Sequence, residues 1–371
     1  EPDFDTPSPI RNAGIRAIQE GNTRYTPPQG LPELRQAIAD KLYKENNLSC
    51  TAENIIVCSG GKQAIFNMLM CICNPGDEVI IPKPYWVSYP EMVRLASAKP
   101  VFLPTCGENG FSINVEQLKK ITTNKTKALI ICSPNNPTGA ILGKNDLEAI
   151  AKWAVINDIF IISDEIYEKI IYKPFKHYSI GSLNREILKN TITVNGLSKG
   201  CAMTGWRLGY AAAHPEIIKQ AVKLQAQTTH APSTISQKAA VFAFKSEKQW
   251  HLNMVKSYTA RRDIGTEILR SIPGVSCFKP QGAFYLFPEF FNYYNKEYKG
   301  SFINNSSDLC SVILEEVNVA CVPGSAFGDD RFIRISYACG MRDLKGGLKK
   351  IVRLMNNIRD HSIGSDRLKD R

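Results

Sequence analysis

No apolar run in this sequence approaches the roughly 18–20 residues of a membrane-crossing helix, so no membrane association is expected. The eleven cysteines form no CxxC pair and no cysteine–histidine spacing of the kind that ligates zinc. No metal site is therefore expected, and the odd, scattered count reads as free thiols in a reducing cytoplasm. No signal peptide is visible, and the chain opens abruptly on Glu-Pro-Asp-Phe-Asp. The dinucleotide fingerprint GxGxxG and the spacing of an NTPase phosphate loop are both missing, as is any internal repeat. Lys and Arg outnumber Asp and Glu by 46 − 35 = 11, yet the charges alternate in sign along helices and form no basic stripe with interleaved aromatics. Nucleic-acid binding is not expected; the excess favours the approach of acidic substrates.

What is present is an ordinary globular composition, 43% hydrophobic and 22% charged over 371 residues, enough for two domains with real cores. Short apolar strands over 55–58, 78–81, 101–103, 127–132, 159–162 and 191–194 alternate with helices over 32–42, 63–71, 91–96, 115–121 and 146–157. This alternation predicts an α/β fold with a mostly parallel sheet covered by helices on both faces. After Tyr210 the pattern turns helical (216–227, 234–245, 249–269) and breaks at Pro273-Gly274. Beyond that break, strands over 283–287, 319–322 and 332–337 and helices over 309–316 and 344–355 read as a smaller α+β unit. Residues 292–307, rich in Asn, Tyr and Ser, read as a surface insertion, and the polar tail from His361 as frayed.

The chain is organised around residues 193–210. An apolar strand ends in a glycine-containing turn that presents Lys199; Arg207 follows eight residues later and opens a second apolar run. An amine is a useful covalent catalyst when it forms a Schiff base with an aldehyde, and Arg is the better fork for a phosphate. A cofactor that is both aldehyde and phosphate ester is pyridoxal 5′-phosphate. Asn136, Asp164 and Tyr167 also fall at or just past strand ends, where open α/β sheets bind ligands. The electron-accepting ring needs a carboxylate against its protonated nitrogen, which suits Asp164. Its phenolic oxygen suits Tyr167 and Asn136, and its flat face suits Trp86. Ser198, Arg207 and the N–H groups of Gly61 and Lys62 at a helix start suit the phosphate. Each residue alone has a plain reading as cap, turn or core; their joint occurrence in this order is harder to explain that way.

The blocks GGKQA (60–64), PYWVSYPEM (84–92), SPNNPTGA (133–140), SDEIYE (163–168), NGLSKGCAMTGWRLGY (195–210), QGAFY (281–285) and RFIRISYA (331–338) resemble the fold-type I pyridoxal-phosphate aminotransferases. Within these, the chain is most similar to the class I branch of bacterial aspartate and aspartate/prephenate aminotransferases. The resemblance implies a seven-stranded sheet in a large domain (11–274), with 1–10 and 275–371 forming a small domain. It implies that Lys199 is the Schiff-base lysine and proton shuttle, that Asp164 pairs with the ring nitrogen, and that Tyr167 and Asn136 face the ring oxygen. It further implies a cis peptide at Asn136–Pro137, Arg334 as a fork for the substrate α-carboxylate, and Tyr25 reaching the phosphate of the other subunit in a homodimer.

The implied reaction moves the amino group of L-aspartate to 2-oxoglutarate through two half-reactions. Prephenate, aromatic or kynurenine transamination is the alternative, and a regulator domain of the same fold a remote one. The chain departs from the resemblance in two places. Residues 225–236 hold no arginine for a distal carboxylate, offering His230 instead, so Lys62 takes that role in the branch this chain resembles. The family also usually has some tens of residues before the position of Glu1, so an N-terminal arm is expected to be missing.

Overall fold

A computed structural model describes residues 1–246 and 249–369, with side chains described through Ile358. Its centre is a seven-stranded sheet. The strands are β1 (Ile55–Cys58), β2 (Glu78–Lys83), β3 (Lys99–Pro104), β4 (Thr126–Cys132), β5 (Phe160–Asp164), β6 (Thr191–Gly196) and β7 (Gly209–Ala212). They lie in the spatial order β1-β7-β6-β5-β4-β2-β3. All are parallel except β7, which runs antiparallel to both β1 and β6.

The strands read as continuous apolar runs because both faces are buried, and alternate side chains go to opposite faces. Ala128 and Ile130 face one way, toward helices α3 (Gly61–Ile72) and α4 (Ser88–Leu95). Leu129 and Ile131 face the other way, toward Leu147, Ile150 and Trp153 on helix α6 (Lys144–Ile156), with α5 (Val115–Ile121) beside it. At the β1–β7 edge, Ile55, Val57, Tyr210 and Ala212 pack against α2 (Pro32–Asn46) and α9 (Thr234–Lys245). Helices α1 (Ser8–Gln19), α7 (Arg185–Asn190) and α8 (Pro215–Gln227) complete the two layers.

The long helix α10 (Leu252–Arg270) carries the chain into a second core, where it packs on the final helix. That core gathers Tyr258, Phe284, Leu286, Ile313, Ile335, Leu348 and Ile351. Its strands are short: β8 (Ser276–Cys277), β9 (Tyr285–Leu286), β10 (Pro288–Glu289), β11 (Lys296–Tyr298), β12 (Ser301–Ile303), β13 (Val322–Pro323) and β14 (Ile333–Ser336). Helix α11 (Ser306–Val317) lies between β12 and β13, and α12 (Met341–Lys369) closes the chain.

Three sequence expectations change here. The stretch 292–307 is not a surface insertion. Tyr293, Tyr294, Tyr298 and Ile303 are buried in the second core, and β11 and β12 form a hairpin over it. Its polar residues instead cap: Asn305 accepts the Asp308 N–H at the start of α11. The strand expected over 319–322 is reduced to Val322–Pro323. The tail expected to fray from His361 continues the backbone of α12 through Lys369.

Candidate active site

Strands β1, β4, β5 and β6 all point the same way, so their C-terminal ends share one rim. Each end contributes to a single cleft of about 390 Å³. Lys62, Trp86, Asn136, Asp164, Tyr167, Ser198, Lys199, Arg207 and Arg334 line it, with the Gly61 backbone at its edge. Ten of the eleven positions singled out in the sequence meet there. Tyr25 does not: it is 93% exposed and outside the cleft, with its ring 5.3 Å from that of His230.

Asp164 ends β5 as its last residue and is 5% exposed. Its Oδ2 accepts the Tyr89 hydroxyl at 2.6 Å, and its Oδ1 accepts the Ile166 N–H at 3.2 Å. Burial pushes its carboxyl up to about 6, opposed chiefly by the Tyr89 hydrogen bond. Lys199, in the turn after β6, has its ammonium 5.9 Å from the Tyr167 ring centre and 5.7 Å from that of Phe284. Burial lowers its pKa, and the cations Arg207 and Arg334 lower it further. A lysine held this way releases its proton more readily than one in water.

Tyr167 is buried and shares a 2.7 Å hydroxyl contact with Tyr285. Asn136 precedes Pro137 through a cis peptide, and its Oδ1 accepts from Arg334 Nη1 at 2.9 Å. The Arg334 guanidinium lies over the Tyr285 and Phe327 rings, 4.6 and 4.8 Å from their centres, and its Nε is buried without a partner among the described residues. A fork held against two rings with a donor to spare fits a planar carboxylate.

The anion end of the cleft is built from backbone. Helix α3 begins at Gly61 after an N-cap glycine with no side-chain cap, so its first N–H groups are left to an anion. Gly60 has φ +92°, and a Cβ there would stand 2.5 Å from Arg207 Nη2. At Gly209 a Cβ would stand 2.4 Å from the Gly61 nitrogen. Only glycine at both positions lets the Arg207 guanidinium lie against this turn. Arg207 itself donates to Thr204 O at 2.9 Å.

Sequence reasoning missed Tyr89 and Tyr285. The signal for Tyr89 lay within its own block: it stands three residues after Trp86, and the two rings meet edge-to-face at 5.4 Å. One phenol thus holds both the buried carboxylate and the ring expected to stack.

The residues present fit pyridoxal 5′-phosphate. A buried carboxylate, a lysine of lowered pKa, an uncapped helix start beside an arginine, and a spare guanidinium donor supply every complement that this cofactor needs. Tyr89→Phe removes the strongest influence holding Asp164 down, so Asp164 should titrate above about 6. The expected result is cofactor affinity that weakens, as pH falls, from a higher starting pH than in the wild type, read by equilibrium dialysis; an unchanged profile would remove Tyr89 from this role.

Residues 1–351 match the sequence model of the family described as aminotransferase class I and II. The chain is 48% identical over 364 residues to a bifunctional aspartate aminotransferase and glutamate/aspartate-prephenate aminotransferase of Petunia hybrida, covering 97% of this chain and 76% of that protein. It is 44% identical to a probable aspartate/prephenate aminotransferase of Rickettsia conorii, covering 96% and 90%. Among solved structures, the aspartate aminotransferase of Thermus thermophilus with maleate superposes with a TM-score of 0.89 at 42% identity, covering 95% and 89%. The aromatic aminotransferase of Pyrococcus horikoshii superposes at 0.91 and 44%, covering 96% and 94%.

Proposed function

We infer the function from a plain premise: this chain belongs to the class I and II aminotransferase family. We propose that it transfers the amino group of L-aspartate to 2-oxoglutarate, giving oxaloacetate and glutamate, with pyridoxal 5′-phosphate as cofactor. The observation that carries this reading is the meeting of Lys199, Asp164, Arg207 and Arg334 in one cleft. Bound there, the cofactor supplies an aldehyde that accepts the amino group and a protonated ring that draws electrons from the substrate Cα.

The chain's own residues do the rest. Arg207, Ser198 and the N–H groups of Gly61 and Lys62 hold the phosphate, and Asp164 keeps the ring nitrogen protonated. Tyr167 and Asn136 donate toward the ring oxygen, and Trp86 covers the ring face. Arg334 holds the substrate α-carboxylate and so aims the Cα proton at Lys199. Lys199 removes that proton as a neutral amine, which its lowered pKa favours. Tyr25 lies outside its own cleft; we take it to serve the phosphate site of a second copy, so that the working unit is a homodimer. We take 11–274 as the large domain and 1–10 with 275–371 as the small one. All eleven cysteines are free thiols, which suits a reducing cytoplasm.

Lys62 decides the substrate class. It is exposed at the start of α3, with its ammonium 5.0 Å from the Trp86 ring centre and therefore beside the cleft. No arginine occurs in 225–236, so Lys62 is the cation proposed for the far carboxylate of aspartate, or of prephenate, the second reading. A charged hydrogen bond contributes about 1.5–3 kcal/mol; exposure favours the lower end, roughly tenfold in kcat/KM. Lys62→Met should lose about that factor for aspartate and prephenate and leave phenylalanine unchanged, measured by half-reaction titrations. Equal loss for all three would assign Lys62 to the phosphate alone.

A further inference from the structure

Beginning at Glu165, the residue after Asp164, and formed by residues that do not line the cleft, is a buried charged cluster that the reaction as described does not use. Glu165 is fully buried. Its Oε1 accepts from Ser163 Oγ at 3.0 Å. Its Oε2 accepts from Ser179 Oγ at 2.6 Å, His177 Nε2 at 2.9 Å and Asn46 Nδ2 at 3.2 Å. The same Asn46 amide donates at 2.7 Å to Glu168, whose other oxygen accepts from the buried Lys41 ammonium. Lys41 also donates to Asn46 Oδ1 at 2.7 Å. Asn46 ends helix α2, so the cluster ties that helix to the 164–168 turn and to the loop carrying His177.

Glu165, Glu168 and His177 bring three potential ligand atoms within 4.8 Å of one another. The Lys41 ammonium already occupies Glu168, and an ammonium and a divalent cation compete for one carboxylate. The cluster therefore reads as a charge balance: the carboxylates of Glu165, Glu168 and Glu45 against the ammoniums of Lys41 and Lys169 and the His177 imidazole. It is neutral only when the imidazole is protonated. Burial opposes that protonation, yet Glu165 and Glu168 outweigh it and raise the His177 pKa. For Glu168 burial is likewise overcome, by Lys41, Lys169 and His177, and its carboxyl falls to about 2. His177 Nδ1 is buried with no partner among the described residues, so protonating it adds an unpaired N–H to the cost of burial.

The groups facing Asp164 are Tyr89 from α4, Cys132 from the end of β4, Lys199 from the turn after β6, and Glu165 from its own turn. Glu165 is the anionic one, and its charge pushes Asp164 toward protonation. A protonated Asp164 cannot hold a pyridinium nitrogen. The cluster thus bears on catalysis through the net charge it leaves beside Asp164.

We propose that His177 is a positioning residue: acting through Glu165, its imidazolium cancels charge beside Asp164 and keeps Asp164 an anion facing the cleft. This rests on the cofactor reading above. The pH window follows from the direction of each shift. With Asp164 titrating near 6, affinity for pyridoxal phosphate at about pH 6 is reduced twofold by Asp164 protonation. A neutral residue at 177 uncovers one negative charge. If that raises Asp164 by one pH unit, the reduction becomes roughly elevenfold, a difference of about fivefold. At about pH 8.5 both reductions vanish.

The test is equilibrium dialysis of the full-length holoenzyme against pyridoxal phosphate at about pH 6 and about pH 8.5, with thermal melting alongside. His177→Gln should hold the cofactor about fivefold more weakly than wild type at the lower pH and equally at the higher. Glu165→Gln, which removes the anion, should shift the other way and flatten the pH dependence; it decides the matter if His177→Gln fails to fold. Tyr89→Phe serves as the standard for a raised Asp164. Equal weakening of His177→Gln at both pH values, or a Glu165→Gln profile shifted in the same direction as Tyr89→Phe, overturns the inference and leaves a merely structural cluster. A wild-type protein that retains no pyridoxal phosphate overturns the cofactor reading itself, which is a distinguishable outcome.

Discussion

Lys199→Ala should abolish turnover, by about 10⁴-fold or more, while the protein still folds and still takes up its cofactor. In the proposed reaction Lys199 does two things that no neighbouring side chain can take over: it attaches the cofactor covalently and moves a proton at the substrate Cα. Acid–base catalysis alone is worth up to about 10⁴-fold, and covalent catalysis adds to it. Among the side chains lining the cleft, the other cationic ones are Lys62, Arg207 and Arg334. The two arginines do not deprotonate, and Lys62 stands by Trp86. Borohydride reduction followed by mass spectrometry reads the first role: the wild type should carry the cofactor mass on the peptide containing Lys199, and the variant on no peptide. A pH profile reads the second. Because burial lowers the Lys199 pKa, wild-type turnover should fall on acidification only below that lowered value. An alanine variant that transaminates within tenfold of wild type would move the proton carrier elsewhere.

The rim of the sheet was legible in the sequence for a physical reason. Strands buried on both faces are continuous apolar runs, so their ends are sharp, and the polar residue that follows each end is placed with it. Asp164, Asn136 and Lys199 were found in that way. Tyr89 was not, because its place three residues after Trp86 marks a contact between rings but not that its hydroxyl reaches a carboxylate 75 residues away.

Lys41 shows the converse. On α2 it sits among alternating charges and reads as a solvated lysine, yet it is 9% exposed and bonded to Glu168. Its partner is 127 residues away, and no local periodicity carries that information. The tyrosines of 292–307 misled in a third way. Their Asn and Ser neighbours made the stretch look exposed, when those residues cap helices and turns around a buried aromatic cluster.

Asp164→Asn should separate stability from activity by moving them in opposite directions. In the cofactor-free protein the Asp164 carboxyl titrates at about 6 instead of its ordinary 3.8, with burial as the main cause. A carboxyl whose pKa is raised by folding destabilises the fold once it ionises. The cost develops as pH rises from about 4 through 6 and is complete above that. The gap of 6 − 3.8 = 2.2 pH units, at 1.36 kcal/mol per unit, is about 3 kcal/mol. Asparagine is nearly the same shape and keeps an acceptor for the Ile166 N–H, so the cofactor-free variant should be more stable than wild type by up to that amount near pH 7. Below about pH 4 the two should melt alike.

Activity should go the other way. An amide cannot pair with a protonated ring nitrogen, and losing one preorganised charge of this kind costs about 10²–10³-fold. Single-turnover kinetics of Cα deprotonation would measure it. A loss under tenfold would show that Asp164 is not the partner of the ring nitrogen, and a variant no more stable than wild type near pH 7 would show that its carboxylate is not held at a cost. Both results together would leave the buried carboxylate at the end of β5 as an ordinary turn residue that caps the Ile166 N–H and accepts from Tyr89.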